Sequence, residues 1–175
     1  MRGNKGFTLI ELIVVIGILS ILAAGLLMIL NPFNQFQKAT DARRKSDLAQ
    51  IQRALEVYYQ DHGQYPSNTS AYQMSDPTLG TINWGQKWCT NSSCSGFYMN
   101  VVPQDPAYPA STYVYYSPDG QHYYLYANLS RGSLDPQACN GGNACTSLSQ
   151  SGFPPATACG GSGCNFGVTS PNTSP

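Results

Sequence analysis

The apolar residues of this chain are concentrated in one long run close to its N-terminus. Residues 7–30 are apolar except for Thr8, Glu11 and Ser20, and the 19 residues from Leu12 to Leu30 carry no charge. A helix of that length measures about 28 Å, which is enough to cross the apolar core of a bilayer. A secretory signal has a shorter apolar core and a small-residue cleavage site after it, and this run does not fit that pattern. The run therefore predicts a membrane-spanning helix.

A second helical pattern follows a break at Pro32. Proline removes one backbone hydrogen bond and crowds the preceding turn, so a kink or short interruption is expected there. The apolar positions beyond it recur at intervals of three and four residues, at Leu48, Ile51, Leu55 and Tyr58. This spacing predicts an amphipathic helix with one apolar stripe. Gly63 and the following Tyr65-Pro66 are expected to end it.

Short runs in the second half of the chain have the composition and alternation of β-strands. Residues 96–102 predict one strand, and residues 112–116 and 122–129 predict two more. The turn sequence Ser117-Pro118-Asp119-Gly120 lies between the last two, so they are expected to form a hairpin. Alternate residues of the second hairpin strand are expected to face the helix stripe: Tyr123, Leu125, Ala127 and Leu129.

The low and balanced charge of the chain bears on whether it binds nucleic acid. Only 10% of residues are charged, and the formal net charge is zero. The basic residues gather in the amphipathic helix, at Lys38, Arg43, Arg44, Lys45 and Arg53, and are diluted by Asp41, Asp47 and Glu56. Such a stretch could attract nucleic acid, but nothing else in the sequence supports that partner. We expect instead a solvated face, or pairing with acidic residues of a neighbouring subunit.

The cysteines indicate an oxidising compartment. All six lie in the polar, loop-rich half of the chain, at Cys89, Cys94, Cys139, Cys145, Cys159 and Cys164. An even number in such a region is typical of disulfides, although six cysteines allow 15 connectivities. Nearest-neighbour pairing is the preferred arrangement, and interlocked pairing of the last four is the alternative. The spacings are not those of a structural zinc site, and no metal site or cofactor is expected.

Glu11 is the unusual residue of the apolar run. A carboxylate at the edge of a membrane span is costly and usually has a partner or a function. If the chain were cut after Gly6, the new amine of Phe7 would supply a cation close to Glu11, in the same or a neighbouring subunit. Two opposite charges can offset each other in an apolar bundle, where either alone would be expensive.

The residues around this junction, Gly6-Phe7-Thr8-Leu9-Ile10-Glu11-Leu12-Ile13-Val14-Val15, resemble the prepilin signature shared by type IV pilins and type II secretion pseudopilins. The resemblance implies that an inner-membrane aspartyl peptidase cuts between Gly6 and Phe7 and methylates the amine of Phe7. It also implies that Glu11 guides each incoming subunit into a growing filament. Segments within residues 41–66 and 102–127 are similar to major pseudopilins and related pilins as well.

Two further features of the apolar helix bear on assembly. Gly17, Ser20 and Ala24 recur at three- and four-residue spacings and would allow close approach of another helix, although small residues are also common in ordinary spans. Family members often carry a proline inside the apolar run, where the helix can melt in the filament. That interior position has no proline here, so Pro32 is the candidate replacement.

The predicted fold class is α+β and type IV pilin-like, with a long N-terminal helix packed on a small antiparallel sheet and a disulfide-stapled C-terminal loop region. Residues 1–6 form the cleaved leader and residues 7–37 the transmembrane and assembly helix. Residues 38–63 form the amphipathic half of the helix and residues 64–138 the sheet. The Cys-rich segment is 139–175. Only His62 and His122 are available for acid–base chemistry, with no nucleophile motif beside them, so an enzyme is not expected.

The predicted function is that of a pilin, which polymerises through its N-terminal helix into an extracellular filament. The expected partners are copies of itself, the prepilin peptidase and an assembly platform in the inner membrane, with the head outside the cytoplasm. The alternative is a major pseudopilin of a type II secretion system. Such proteins often hold calcium in the loops after the hairpin, where Asp135 is the only side-chain carboxylate beyond Asp119. A less favoured alternative is a membrane-tethered adhesin that binds sugars on its tyrosines.

Overall fold

The computed structural model describes residues 6–161, 163–171 and 175, and of residues 27–30 it describes the helical backbone only. Residues 1–5 of the predicted leader lie outside the described residues. The chain divides after Gln37 into two compact units.

The first unit contains helix α1, Leu9–Leu30. Its stretch Leu9–Leu26 has a mean hydropathy of 2.7, and none of it is buried, so by length and composition it could cross a membrane. The helix ends at Asn31, whose φ of 38° lies in the left-handed region that asparagine tolerates. Helix α2, Pro32–His62, begins at the next residue. The predicted break at Pro32 is confirmed, and proline is well suited to the first position of a helix.

The second unit has its core between α2 and the sheets. The apolar stripe of α2 belongs to one cluster with the alternate residues of the hairpin, and all of these side chains are buried: Leu48, Ile51, Leu55, Tyr58, Tyr123, Leu125, Ala127 and Leu129. The predicted packing of helix on sheet is therefore confirmed. Burial of each large apolar side chain stabilises the fold by about 1.5–3 kcal/mol relative to exposure.

Among the described residues, eight short strands form three antiparallel sheets. Two small sheets precede the hairpin, the first made of β1 (Ser67–Asn68), β2 (Met74–Asp76) and β3 (Gly80–Ile82), the second of β4 (Trp88–Cys89) and β5 (Phe97–Met99). The third sheet contains β6 (Val114–Tyr116), β7 (Tyr124–Ala127) and β8 (Phe166–Thr169), in the order β6-β7-β8. Short 3₁₀ turns lie between β7 and β8, at Gly132–Leu134, Cys139–Gly142 and Thr146–Ser149.

The third sheet shows both a confirmed hairpin and an unforeseen strand. β6 and β7 pair with Tyr115 opposite Leu125, as expected for the predicted hairpin. No strand is predicted after residue 129, yet β8 pairs along the whole of β7. The central strand of the sheet is thus completed by residues close to the end of the chain.

The Cys-rich segment covers the face of this sheet that points away from α2. Val114 and Tyr126 are paired across β6 and β7 and are buried on that face. They form a second cluster with side chains of the C-terminal segment, namely Cys145, Leu148, Cys159 and Cys164. The sheet is therefore packed on both faces, and the segment predicted as loop-rich supplies part of a core.

Three disulfides join nearest neighbours, Cys89–Cys94, Cys139–Cys145 and Cys159–Cys164. This is the arrangement that the sequence analysis preferred. The last two bridges are tied to each other through the backbone, because Cys145 N–H donates to the carbonyl of Cys164 at 3.0 Å.

The expectation that the basic stretch is a solvated face, or pairs with another subunit, is wrong for Arg44. Its side chain is buried and binds both oxygens of Asp105, at 2.9 and 3.1 Å, and one oxygen of Asp41 at 2.9 Å. Arg44 precedes Leu48 by four residues and therefore lies on an extension of the apolar stripe. The hydrogen bonds with Asp105 and Asp41 outweigh burial and raise the pKa of this guanidinium.

Processing junction and assembly helix

The predicted cleavage junction lies in an exposed segment just before α1. Gly6 and Phe7 precede the helix, and the Phe7 side chain is 84% exposed. Thr8, the N-cap, has an extended backbone. Exposed segments without secondary structure are the preferred sites of proteolysis. A Cβ added to Gly6 would meet no atom within 4 Å, so the fold itself does not require glycine there.

Glu11 is held at the first turn of α1 by a capping box. Its carboxylate accepts hydrogen bonds from the Thr8 backbone N–H at 2.9 Å and from the Thr8 hydroxyl at 2.7 Å. In return the backbone N–H of Glu11 donates to Thr8 Oγ1 at 3.3 Å. This contact was not predicted, although a threonine three residues before a glutamate is its usual signal. The box places a negative charge at the positive end of the helix, one turn from the amine that cleavage would create.

The small residues of α1 leave open space on one face of the helix. Gly17, Ser20 and Ala24 are all exposed, and a Cβ at Gly17 would meet no atom within 4 Å. The Ser20 hydroxyl donates to the carbonyl of Ile16 at 2.7 Å, so its polar group is satisfied within its own helix. Apolar side chains surround this face. A surface of this kind is stable only in lipid or against other helices.

The residues that could carry acid–base chemistry have structural contacts instead. His62 stacks on Tyr58 with ring centroids 4.1 Å apart, and His122 binds Asp119 at 2.8 Å in the exposed turn before β7. All six cysteines are in disulfides. Within residues 6–161, 163–171 and 175, no three histidine, cysteine or acidic side chains are grouped so that they could hold a metal ion.

Most tyrosines of the head are used in packing. Buried hydroxyls donate to carboxylates of α2, from Tyr113 to Asp47 at 2.7 Å and from Tyr123 to Glu56 at 3.2 Å. On the other face of the sheet, Tyr116 and Tyr124 contact the ring of Phe153 from the Cys-rich segment. Burial, followed by a hydrogen bond to Asp61, raises the pKa of Tyr98 to about 12. These contacts leave few aromatic faces free for stacking on a sugar.

Asp135 has a cationic partner within the chain. Its carboxylate accepts a hydrogen bond from Lys45 Nζ at 2.6 Å, and the same ammonium binds Gln137 at 2.9 Å. Burial opposes ionisation of Asp135, but the hydrogen bonds from Lys45 and from the backbone of Gln137 lower its pKa. The one side-chain carboxylate in the loops after the hairpin is thus already neutralised by a lysine.

Comparisons with known proteins match both the processing junction and the head. Residues 1–27 match the prokaryotic N-terminal methylation motif, and residues 31–146 match the family of type II secretion system protein G. The chain is 35% identical to type II secretion system core protein G of Klebsiella pneumoniae, over 70% of this chain and 80% of that protein. It is 33% identical to the same core protein of Aeromonas hydrophila, over 60% of this chain and 68% of the relative.

A pilin is also among the relatives. The toxin coregulated pilin of Vibrio cholerae is 33% identical over 48% of this chain and 37% of the pilin. No solved structure matches the chain significantly.

Proposed function

Because the chain belongs to the type II secretion system protein G family of pilin-like pseudopilins, we propose that it polymerises through α1 into a helical filament. The observation that carries this proposal is the exposed apolar surface of α1, directly after a methylation-type junction. A single copy leaves that surface uncovered, and stacking of many copies would bury it. The family is structural, so the filament and not a reaction is the product of this protein.

Each part of the chain has a proposed task in this process. Residues 1–6 are removed by a prepilin peptidase, and the new amine of Phe7 is methylated. Residues 7–37 hold the subunit in the membrane before assembly and form the filament core afterwards, with Pro32 interrupting the helix near its end. Residues 38–63, 64–138 and 139–175 form the head on the outer side of the membrane.

We assign the docking step to Glu11. The capping box fixes its carboxylate at the first turn, close to where the Phe7 amine is released. An incoming subunit brings an amine of opposite charge, and pairing offsets the cost of both charges in an apolar surrounding. Gly17, Ser20 and Ala24 provide the face along which the helices approach.

The filament could be one of two kinds, a secretion pseudopilus or a surface pilus. The match over residues 31–146 favours the pseudopilus of a type II secretion system. The contact between Asp135 and Lys45 favours a surface pilus, because this carboxylate binds a lysine where a major pseudopilin would offer it to calcium. Deletion of the gene in the native cell separates the two settings. Loss of secreted enzymes with unchanged surface fibres indicates the pseudopilus, and loss of fibres with normal secretion indicates the pilus.

The test of assembly is a strain that carries only Glu11→Gln, which removes the charge and keeps the size of the side chain. We expect normal membrane insertion, a mature N-terminus at Phe7 by mass spectrometry, and far fewer sheared filaments per membrane-bound subunit. Asp119→Asn is the control, since it removes one carboxylate charge from an exposed turn of the head. Abundant filaments from the Gln variant would refute the docking role.

A further inference from the structure

The second unit contains a polar cavity of about 340 Å³. It lies between the part of α2 that begins at Lys38 and the turn after β7. Its size falls in the range of small-ligand pockets, roughly 300–1,000 Å³. Lys38, Asp41 and Lys45 line it from the helix, and Arg131, Leu134 and Asp135 line it from the turn.

The two carboxylates of this cavity are already engaged. Asp41 accepts hydrogen bonds from a buried guanidinium at 2.9 Å and from two backbone N–H groups of the turn, at 2.8 and 2.9 Å. Asp135 accepts a hydrogen bond from Lys45 at 2.6 Å. The negative charge of the walls is therefore compensated within the chain.

Two cations of the cavity remain uncompensated. Over the described part of the chain, neither Lys38 nor Arg131 lies within ion-pair distance of a carboxylate. Nε of Arg131 is buried and has no hydrogen-bond partner among the described residues. This atom is also closed off from the cavity, so a ligand there would contact the terminal nitrogens of the guanidinium. A guanidinium beside an ammonium suits an anion with several oxygens, such as a phosphate group.

The position of the cavity along the chain indicates where that phosphate comes from. The 22 residues of α1 measure about 33 Å, so Leu30 lies at the edge of a hydrocarbon core of about 30 Å. The chain takes two residues to pass from Leu30 to Pro32 and six more, in the helix, to reach Lys38. Lys38 therefore lies no more than about 16 Å from Leu30. The intervening Phe33 and Phe36 are 67% and 71% exposed, as suits residues at the boundary of the acyl chains.

We propose that this cavity binds the phosphate group of an anionic phospholipid in the membrane that α1 spans. Lys38 and Arg131 contact the phosphate oxygens, and the 72% exposed Leu134 offers an apolar contact at the same cavity. The lipid orients the head before assembly and is released when the subunit leaves the membrane. The inference rests on membrane insertion of α1, but not on the setting of the filament.

The test uses the full-length chain in mild detergent, with phosphatidylglycerol or phosphatidylcholine added and bound lipid counted by native mass spectrometry. Phosphatidylglycerol should bind more tightly. The double variant Lys38→Gln, Arg131→Gln should weaken it roughly 30-fold, and Lys38→Gln alone about fivefold. The matched control is Arg53→Gln with Lys87→Gln, which removes the same charge from exposed positions outside this cavity and should change binding less than about threefold.

Several outcomes would overturn the proposal. Equal binding of the two lipids, or equal loss in the two double variants, would show that no phosphate site exists. Complete displacement of the lipid by millimolar inorganic phosphate would show a pocket for soluble anions. If the variant kept its lipid but formed fewer filaments, the cavity would serve a contact between subunits. Filament yield is scored separately, so failure of this proposal is distinguishable from failure of assembly.

Discussion

Replacement of Arg44 by glutamine should cost the head a large part of its stability. The side chain is 4% exposed and makes four hydrogen bonds, to Asp105, Asp41 and the hydroxyl of Ser130. Glutamine carries no charge and cannot reach both carboxylates, so Asp105 would stay buried without its cation. Removing one partner of a buried ion pair typically costs about 3–5 kcal/mol, out of a total stability of about 5–15 kcal/mol.

The adjacent residue provides a matched control. Arg43 has a 65% exposed side chain and lies 3.8 Å from the buried Asp47, so Arg43→Gln removes the same group from an exposed position, while Tyr113 still donates to that carboxylate. A pair with an exposed cation at this distance contributes about 0–1 kcal/mol. The assay is guanidinium unfolding of the full chain in mild detergent. It is followed by the fluorescence of Trp84 and Trp88, which lie in the core of the second unit.

The decisive result is the difference between the two free energies of unfolding. If Arg44→Gln and Arg43→Gln agree within about 0.5 kcal/mol, the buried network does not stabilise the head, and the reasoning is refuted. A double variant, Arg44→Gln with Asp105→Asn, should recover part of the loss, because it removes the stranded carboxylate. No recovery would show that the cost arises elsewhere, from lost packing of the arginine stem.

Three further predictions concern other parts of the molecule. Serine at both positions of the Cys159–Cys164 bridge should lower the free energy of unfolding by at least about 2 kcal/mol in the same assay, and an unchanged midpoint would contradict this. Gly17→Leu should leave membrane insertion normal but reduce sheared filaments, since overpacking costs about 1–3 kcal/mol per site; an unchanged yield would mean that another face packs. Although burial favours its neutral form, hydrogen bonds from Tyr58 and two backbone N–H groups hold the pKa of Asp76 below its ordinary 3.8. The stabilisation from ionised Asp76 is therefore fully present above pH 3.8 and is lost as the pH falls through the lower pKa of the folded state. Asp76→Asn should consequently reduce the loss of unfolding free energy at acidic pH.

The parts of the fold that follow from periodicity could be predicted from the sequence. The stripe from Leu48 to Tyr58 and the hairpin turn at Ser117-Pro118-Asp119-Gly120 depend on local spacing and turn chemistry, and the structure confirms both. The break at Pro32 follows from the geometry of proline and is confirmed as well. The junction at Gly6 and Phe7 is a motif of consecutive residues, so the matching methylation motif was accessible without any tertiary information.

The parts that failed depend on contacts between distant residues. Arg44 is charged and was placed with the solvated residues, because only the fold reveals Asp105, 61 residues away, as its partner. Strand β8 has four residues with a glycine among them, too short for an alternating pattern. Arg131 lies in a polar turn and carries no motif, so its place in a cavity with Lys38 could not be read from the sequence. The capping box at Thr8 does not depend on distant residues. Its signal, a threonine three residues before Glu11, is present in the sequence.

The position of β8 in the sequence makes closure of the third sheet a late event in synthesis of the head. The chain reaches Phe166 only after nearly all of the head has been made, and until then one edge of β7 has no partner. A product that stopped before this residue would carry an open strand edge on β7, which favours aggregation or proteolysis. Closure of this sheet therefore depends on residues far along the chain from the hairpin, and removal of Phe166–Thr169 alone should expose the outer edge of β7.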